Sequence, residues 1–348
     1  MRFGAATHVI EQAVRDKAFP AAVIEVGDAT QPIWAQAFGR LTYDEAAPAA
    51  TPQTIFDLAS LTKVLATTPL LMQQVERGAF GLDDPVQQHV VQWRDAFQAR
   101  ATVRDLLSHC SGLAAYAPFY QAHNGRPAIE REICAMPRAY PPRSTSIYSD
   151  LGFMLLGFLL NHAVALSRRF DGLRAQMGVA GDLQYRPPPA WRARTAPTEV
   201  DPWRGRLLVG EVHDENCAAL NSVAGHAGLF GTAAAVGECA RHLLQVLDGR
   251  TGVISQATLQ TVIARRTDVP GSSRALGWDT MVPTSSCGSR MSPRAFGHTG
   301  FTGTSLWIDP DRRVYVVLLT NRVHPTRTNE AIRQVRPAVH DAVMEGLG

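Results

Sequence analysis

Apolar positions sit in strand-like runs at the two ends of the chain and recur at helical spacing through its middle. Ile10, Ala13 and Val14 share one face of a helix predicted over residues 7–17, which Phe19-Pro20 ends. Two strand-like runs follow, 21–26 and 33–38, separated by Gly27, Asp28 and Pro32, a pattern that predicts a hairpin. Near the other end, 304–308 and 314–319 are again β-rich and flank the turn Asp309-Pro310-Asp311. Residues 329–344 read as a closing helix that Pro337 should kink.

The middle carries helical patterns at 64–77, stopping at Gly78, and at 103–107, 151–166 and 233–247. A stretch rich in Pro, Trp and Arg, 186–210, reads as a long ordered loop. Strands at both ends with helices between them predict an α/β (α+β) protein: a sheet built from both termini with a helical region inserted into it.

Composition narrows the function classes. The chain has 348 residues, is 45% hydrophobic and 19% charged, and carries a formal net charge of +3. That is an ordinary globular composition, and so small a net charge, with arginines in pairs and not runs, excludes a nucleic-acid partner. Five widely spaced cysteines without a CxxC indicate neither a disulfide framework nor a zinc site, and free thiols fit a reducing compartment. Charges at Glu11, Arg15, Asp16 and Lys17 interrupt any signal-peptide core, and the longest apolar run, 151–160, falls short of the roughly 18 residues a membrane helix needs. A cytoplasmic location and no membrane insertion are the expectation.

Three segments carry candidate chemistry. In 56–63 (FDLASLTK), Ser60 stands where a helix should begin and Lys63 lies one turn on, so the lysine amine can reach the serine hydroxyl. A serine needs a base to act as nucleophile, and lysine serves if burial and nearby positive charge lower its pKa. In 147–152 (IYSDLG), Tyr148 precedes an apolar helix and can project its hydroxyl into a cleft, where a lysine ammonium would favour the phenolate; Asp150 can hold Lys63 or a substrate amide. In 297–304 (GHTGFTGT), glycines let a substrate approach the backbone like an added strand, with His298 and Thr299 facing the cleft and the Phe301 N–H free to donate. Each segment alone also reads blandly: Ser60 as a helix cap with Lys63 a surface charge, Tyr148 as a packed aromatic with Asp150 a cap, and the glycines as a turn.

Taken in order, S-x-x-K at 60–63, Y-x-D at 148–150 and H-T-G at 298–300 resemble the three active-site motifs of the penicillin-recognising serine hydrolases. They are most similar to the branch of class C β-lactamases, D-alanyl-D-alanine carboxypeptidases and β-lactamase-fold esterases. The stretches 82–86 (LDDPV), 102–113 (TVRDLLSHCSGL), 224–232 (AGHAGLFGT) and 296–310 (FGHTGFTGTSLWIDP) resemble that family too. The resemblance implies one catalytic domain over 1–348, with an antiparallel sheet flanked by helices from 1–63 plus 270–348, and a mostly helical subdomain at 64–269. It implies that Ser60 is acylated, that Lys63 and Tyr148 move protons, that the Ser60 and Phe301 amides form an oxyanion hole, and that Gly300 lies with His298 and Thr299 among the substrate-binding residues. It implies no metal and no organic cofactor.

Two positions depart from the family norm. Asp150 stands where Asn is usual, and an ionised carboxylate accepts hydrogen bonds without donating. His298 stands where a lysine usually holds a substrate carboxylate; it is expected to be neutral and to offer one donor. Both weaken the case for efficient β-lactam turnover. His213, Asp214 and His226, in 210–226, are expected to line the substrate cleft; their spacing is not that of a known metal site. The expectation is therefore an acyl-enzyme hydrolase of small esters or amides, with a muropeptide peptidase or amidase, a weak β-lactamase, and a non-catalytic binding protein on the same scaffold as the other readings.

Overall fold

In the computed structural model, which describes residues 2–90, 92–93, 101–161 and 164–348, the two ends of the chain meet in one antiparallel sheet. Its strands are β1 (Ala21–Asp28), β2 (Pro32–Gly39), β3 (Asp279–Thr280), β4 (Phe296–Thr299), β5 (Ser305–Asp309) and β6 (Val314–Thr320), in the order β2-β1-β6-β5-β4-β3. The junction is β1 against β6, from Ala22 opposite Thr320 to Asp28 opposite Val314. Both central strands are buried on both faces, which is why their sequences read as continuous apolar runs.

Residue parity separates two cores. Ala22, Ile24, Val26, Val316 and Leu318 pack beneath the terminal helices α1 (Gly4–Arg15) and the helix Ile332–Leu347. Their neighbours Ala21, Val23, Val317 and Leu319 face the opposite core, which includes the helix Ala233–Leu247 and the central helices. The predicted hairpin, closing helix and 103–107 and 233–247 helices are present, and the helix Ile332–Leu347 runs on through Pro337. The 186–210 stretch is a loop holding a 3₁₀ turn, Pro189–Arg194, and the short paired strands Val200–Asp201 and Arg206–Leu207.

Three differences matter for the site. The helix expected over 64–77 opens as a wider π-turn at Lys63–Thr67 before becoming α at Thr68–Glu76. The helix expected over 151–166 spans Asp150–Leu160; residues 162–163 of that expectation lie outside the described residues, and a separate helix begins at Leu166. From Leu151 to Leu160 every residue is buried, so this segment is the axis of the helical region. Gly157 lies against Gly225, where a Cβ would come within 2.6 Å of the Gly225 nitrogen, so the 225–226 backbone can lie against this helix. Thr67 Oγ1 bonds the Gly225 carbonyl at 2.7 Å, binding the π-turn to the same backbone. Among the described residues no helix is long and apolar enough to cross a membrane.

Candidate active site

Ser60 is presented by a turn that is tied down on every side. The strand Phe56–Asp57 pairs with Leu229–Gly231, and Asp57 accepts from the Ala59 amide at 2.8 Å and the His213 amide at 2.7 Å. Ala59 takes a left-handed backbone, φ 46°, an uncommon conformation for a residue with a side chain and one that the flanking contacts must hold. Helical backbone starts at Leu61, so Ser60 stands at the head of a helix as expected.

Lys63 is fully buried, and its ammonium donates to three acceptors: Ser60 Oγ at 2.9 Å, Asp150 Oδ1 at 2.7 Å and the His226 carbonyl at 3.1 Å. Burial pushes its pKa down, yet the Asp150 carboxylate and the neighbouring Tyr148 outweigh that, and the net shift is upward. The expectation of a lysine depressed by burial and positive charge is therefore corrected. A carboxylate sits where positive charge was assumed, and Lys63 is an ammonium at neutral pH. Asp150 Oδ1 holds Lys63, the first of its two expected tasks, and the residue also lines the cleft. The helix cap is Ser149, whose hydroxyl accepts from the Gly152 amide at 3.3 Å.

The Tyr148 ring packs against Lys63, whose ammonium lies 4.9 Å from the ring centroid, and Ser60 and Tyr148 line the same cleft, so hydroxyl, ammonium and phenol from three positions face one crevice. Here too the charge state differs from expectation. Burial raises the phenol pKa more than the Lys63 charge lowers it, so Tyr148 rests as a neutral phenol and not as a phenolate. His109, which sequence reasoning passed over inside the 102–113 stretch, positions the tyrosine. Its ring lies 4.6 Å from the Tyr148 ring, and its Nδ1 accepts from the Ser149 amide at 3.0 Å. Burial, with the charges of Arg274 and Lys63, holds His109 neutral.

The third segment closes the site from the sheet. Thr302 Oγ1 bonds the Asp57 carbonyl at 2.7 Å and Thr304 Oγ1 the Leu58 carbonyl at 3.1 Å, clamping the 300–304 turn onto the nucleophile turn. Among the described residues neither the Ser60 nor the Phe301 amide donates to a protein acceptor, and both residues line the cleft. His298 is buried beside Tyr148 with ring centroids 5.8 Å apart. Burial and the nearby cations hold it well below its ordinary pKa. Its Nδ1 lies 2.8 Å from the Thr299 carbonyl, which can only accept, so the single proton is committed there and Nε2 presents a lone pair. The donor expected of His298 is not available to a substrate.

The glycines also act differently from the expectation. A Cβ on Gly300 would stand 2.0 Å from Thr304 Oγ1 and 2.6 Å from the Leu58 carbonyl, and one on Gly297 would meet Trp307. The close approach they permit is the protein's own packing. Gly300→Ala should force the two turns apart, lowering stability by about 1–3 kcal/mol from overpacking. It should also cut kcat on the order of 10²-fold by misplacing the Phe301 amide. A urea midpoint measured beside steady-state kinetics reads both, and wild-type kcat in a folded variant would contradict the clamp.

A cleft of about 840 Å³ opens over Ser60, with Tyr148, Asp150, His213, Asp214, His298, Thr299, Gly300 and Phe301 among its walls. His213 lies at the wall with Nε2 2.8 Å from Glu199, whose carboxyl is lowered to about 2 against the effect of burial by its bonds to His213 and Arg327. Asp214 caps the helix Glu215–Ala219 and receives His226 Nε2 at 2.9 Å, which holds its carboxyl well below the usual range despite burial. The His226 side chain is buried behind the wall, and its carbonyl is what reaches the site, through Lys63. Among the described residues no three His, Cys, Asp or Glu side chains are grouped to hold a metal ion.

Comparison with known proteins agrees with this architecture. The profile of the family described as Beta-lactamase matches residues 6–340. A protein of Escherichia coli K12 named "Putative D-alanyl-D-alanine carboxypeptidase" is 29% identical over 319 residues, covering 79% of this chain and 70% of that one. The class C beta lactamase of Rhodobacter sphaeroides superposes with a TM-score of 0.77 at 20% identity, covering 99% of both chains. EstCE1, titled a hydrolase with promiscuous acyltransferase activity, superposes with a TM-score of 0.74 at 20% identity over 97% of each chain. At these identities the superpositions speak for the fold.

Proposed function

Because the chain belongs to the beta-lactamase family of serine hydrolases, we propose that it cleaves a small ester or amide through an acyl-enzyme on Ser60. The observation that carries this reading is the 2.9 Å contact between Lys63 Nζ and Ser60 Oγ, with the Tyr148 ring centroid 4.9 Å from the same ammonium. Once the Lys63–Tyr148 pair has lost one proton to solvent, Ser60 Oγ attacks the substrate carbonyl while its own proton passes to the pair. The oxyanion that forms is received by the Ser60 and Phe301 amides. The pair then protonates the leaving group, and a water molecule, deprotonated by the same pair, releases the acyl product and restores Ser60. His298, Thr299, Asp214 and His213 shape the cleft, with Asp150 tuning the pair.

Esters are the preferred substrate class. A pair held protonated by Asp150 offers little free base near neutral pH, and phenolic or activated alkoxide leaving groups ask least of it. The second reading, release of D-alanine from peptidoglycan-derived muropeptides, is favoured by the carboxypeptidase name carried by the Escherichia coli relative. Purified protein should hydrolyse p-nitrophenyl acetate and butyrate with kcat/KM at least about tenfold above that for D-alanine release from a muropeptide pentapeptide. The reverse order moves the assignment to the peptidase. No turnover of either, in a folded protein that a fluorophosphonate fails to label, removes the hydrolase reading.

A further inference from the structure

The arginines around the cleft fall into two groups. Arg274 is 3.7 Å from Asp279, Arg327 is 2.6 Å from Glu199 and 2.7 Å from Glu215, and Arg333 is 2.8 Å from Glu330. Arg322 and Arg336 also line the cleft, yet among the described residues neither has a carboxylate within ion-pair distance. Both bond only to backbone carbonyls. Arg322 Nε donates to Phe301 at 2.7 Å, and its Nη1 to Arg327 at 2.9 Å and Asn329 at 3.0 Å. Arg336 Nη2 donates to Thr304 at 3.2 Å and Gly300 at 3.5 Å. The Arg336 side chain is buried, and its Nε has no acceptor among the described residues.

A buried guanidinium with an unused N–H and no counter-ion is costly, and a second one beside it adds repulsion. Burial and the Arg322 charge hold Arg336 down at about 10, and burial lowers Arg322 as well. An anion lying between them would relieve the repulsion and supply the missing acceptor. The carbonyls they grip belong to Gly300 and Phe301, so the pair backs directly onto the turn whose Phe301 amide faces the nucleophile. His298 is neutral and supplies no charge, which leaves Arg336 without a carboxylate acting on it, beside an Arg322 that stacks on the Phe301 ring at 4.4 Å and feels Glu330 and Glu199 only beyond ion-pair distance.

We propose that Arg336 and Arg322 form a carboxylate subsite behind the 300–301 turn, so that the preferred substrate is an ester or amide bearing a carboxylate. This rests on the hydrolase reading for its reaction but not for its binding. The subsite lies on the closing helix and the segment after β6, apart from the three motifs.

Two matched pairs test it. One pair is 3-acetoxybenzoate against 3-acetoxybenzamide, with the charge on the leaving group. The other is p-nitrophenyl hydrogen glutarate against its terminal amide, with the charge on the acyl group. The wild-type protein should favour the anionic member of at least one pair by about tenfold or more in kcat/KM, expressed in KM. Arg336→Gln and Arg322→Gln should each bring that ratio towards one, whatever happens to the absolute rate. Calorimetric binding of 3-acetoxybenzoate and p-nitrophenyl hydrogen glutarate, each against its amide, to the Ser60→Ala protein reads the subsite without catalysis. It should show the same preference even if Ser60 is not the nucleophile. Ratios at or below one in both kinetic pairs overturn the subsite, as does an undiminished ratio in a folded Arg322→Gln or Arg336→Gln protein, since a purely structural clamp leaves charge selectivity unchanged. If Arg336→Gln fails to fold, Arg322→Gln and the wild-type ratios decide the question.

Discussion

Ser60→Ala is expected to lower kcat on p-nitrophenyl butyrate by about 10³-fold or more while leaving the fold intact. The size follows from what is lost: without Oγ there is no covalent acyl-enzyme, and only positioning and oxyanion binding by the backbone remain. Ser60→Ala should leave the structure intact, because Lys63 keeps two of its three acceptors, Asp150 at 2.7 Å and the His226 carbonyl at 3.1 Å. The turn that presents residue 60 is held by Asp57, Thr302 and Thr304, none of which bonds the serine side chain. Loss of fluorophosphonate labelling together with an unchanged melting curve is the expected pair of results. A variant that still turns over ester at a tenth of the wild-type rate would place the nucleophile elsewhere and end the acyl-enzyme assignment for Ser60.

The parts of this site that could be read from the sequence are those set by short-range geometry. Ser60 and Lys63 are three residues apart at the head of a helix, and that spacing alone brings their side chains together. The β-rich runs 21–26 and 314–319 are likewise legible as strands, because a short apolar run bounded by turn residues is a local signal. Tyr148 is legible only through the order of the three motifs, and its state is not legible at all. Whether Lys63 is itself raised or lowered depends on a carboxylate 87 positions away, a contact that only the fold brings about. His109 shows no periodic or motif signal that singles it out; its task comes from a ring-to-ring distance across the helical region. Arg336 looks like any arginine on an amphipathic helix, and only the absence of an acid facing it, a property of three folded segments, sets it apart. The glycines of 297–303 were legible as close-approach positions, while the identity of what approaches them was not.

Asp150→Asn should move the ascending limb of the kcat/KM pH profile to lower pH by at least about one unit, equivalent to tenfold more active base on the acid side of that limb. The sign can be worked out without deciding which group takes the proton. The Asp150 charge raises Lys63, and it raises Tyr148 as well. The Lys63 ammonium lies against the Tyr148 ring and each shifts the other, so the two lose their first proton as a pair and the measured limb belongs to the pair. That loss takes the pair from net positive to net neutral, which a neighbouring carboxylate opposes and a neutral amide does not. Burial of Lys63, previously outweighed, is then opposed by Tyr148 without the Asp150 charge and favours loss of the same proton. The amide keeps the shape and can still accept from Lys63 through its oxygen, so the change is electrostatic and not a cavity. Activity at pH 6 to 7 should therefore rise relative to the plateau, although the wild-type residue is lost. A limb that stays in place would mean that neither Lys63 nor Tyr148 is the titrating base. A shift towards alkaline pH would mean that the 2.7 Å ion pair is needed to position the lysine more than to set its charge.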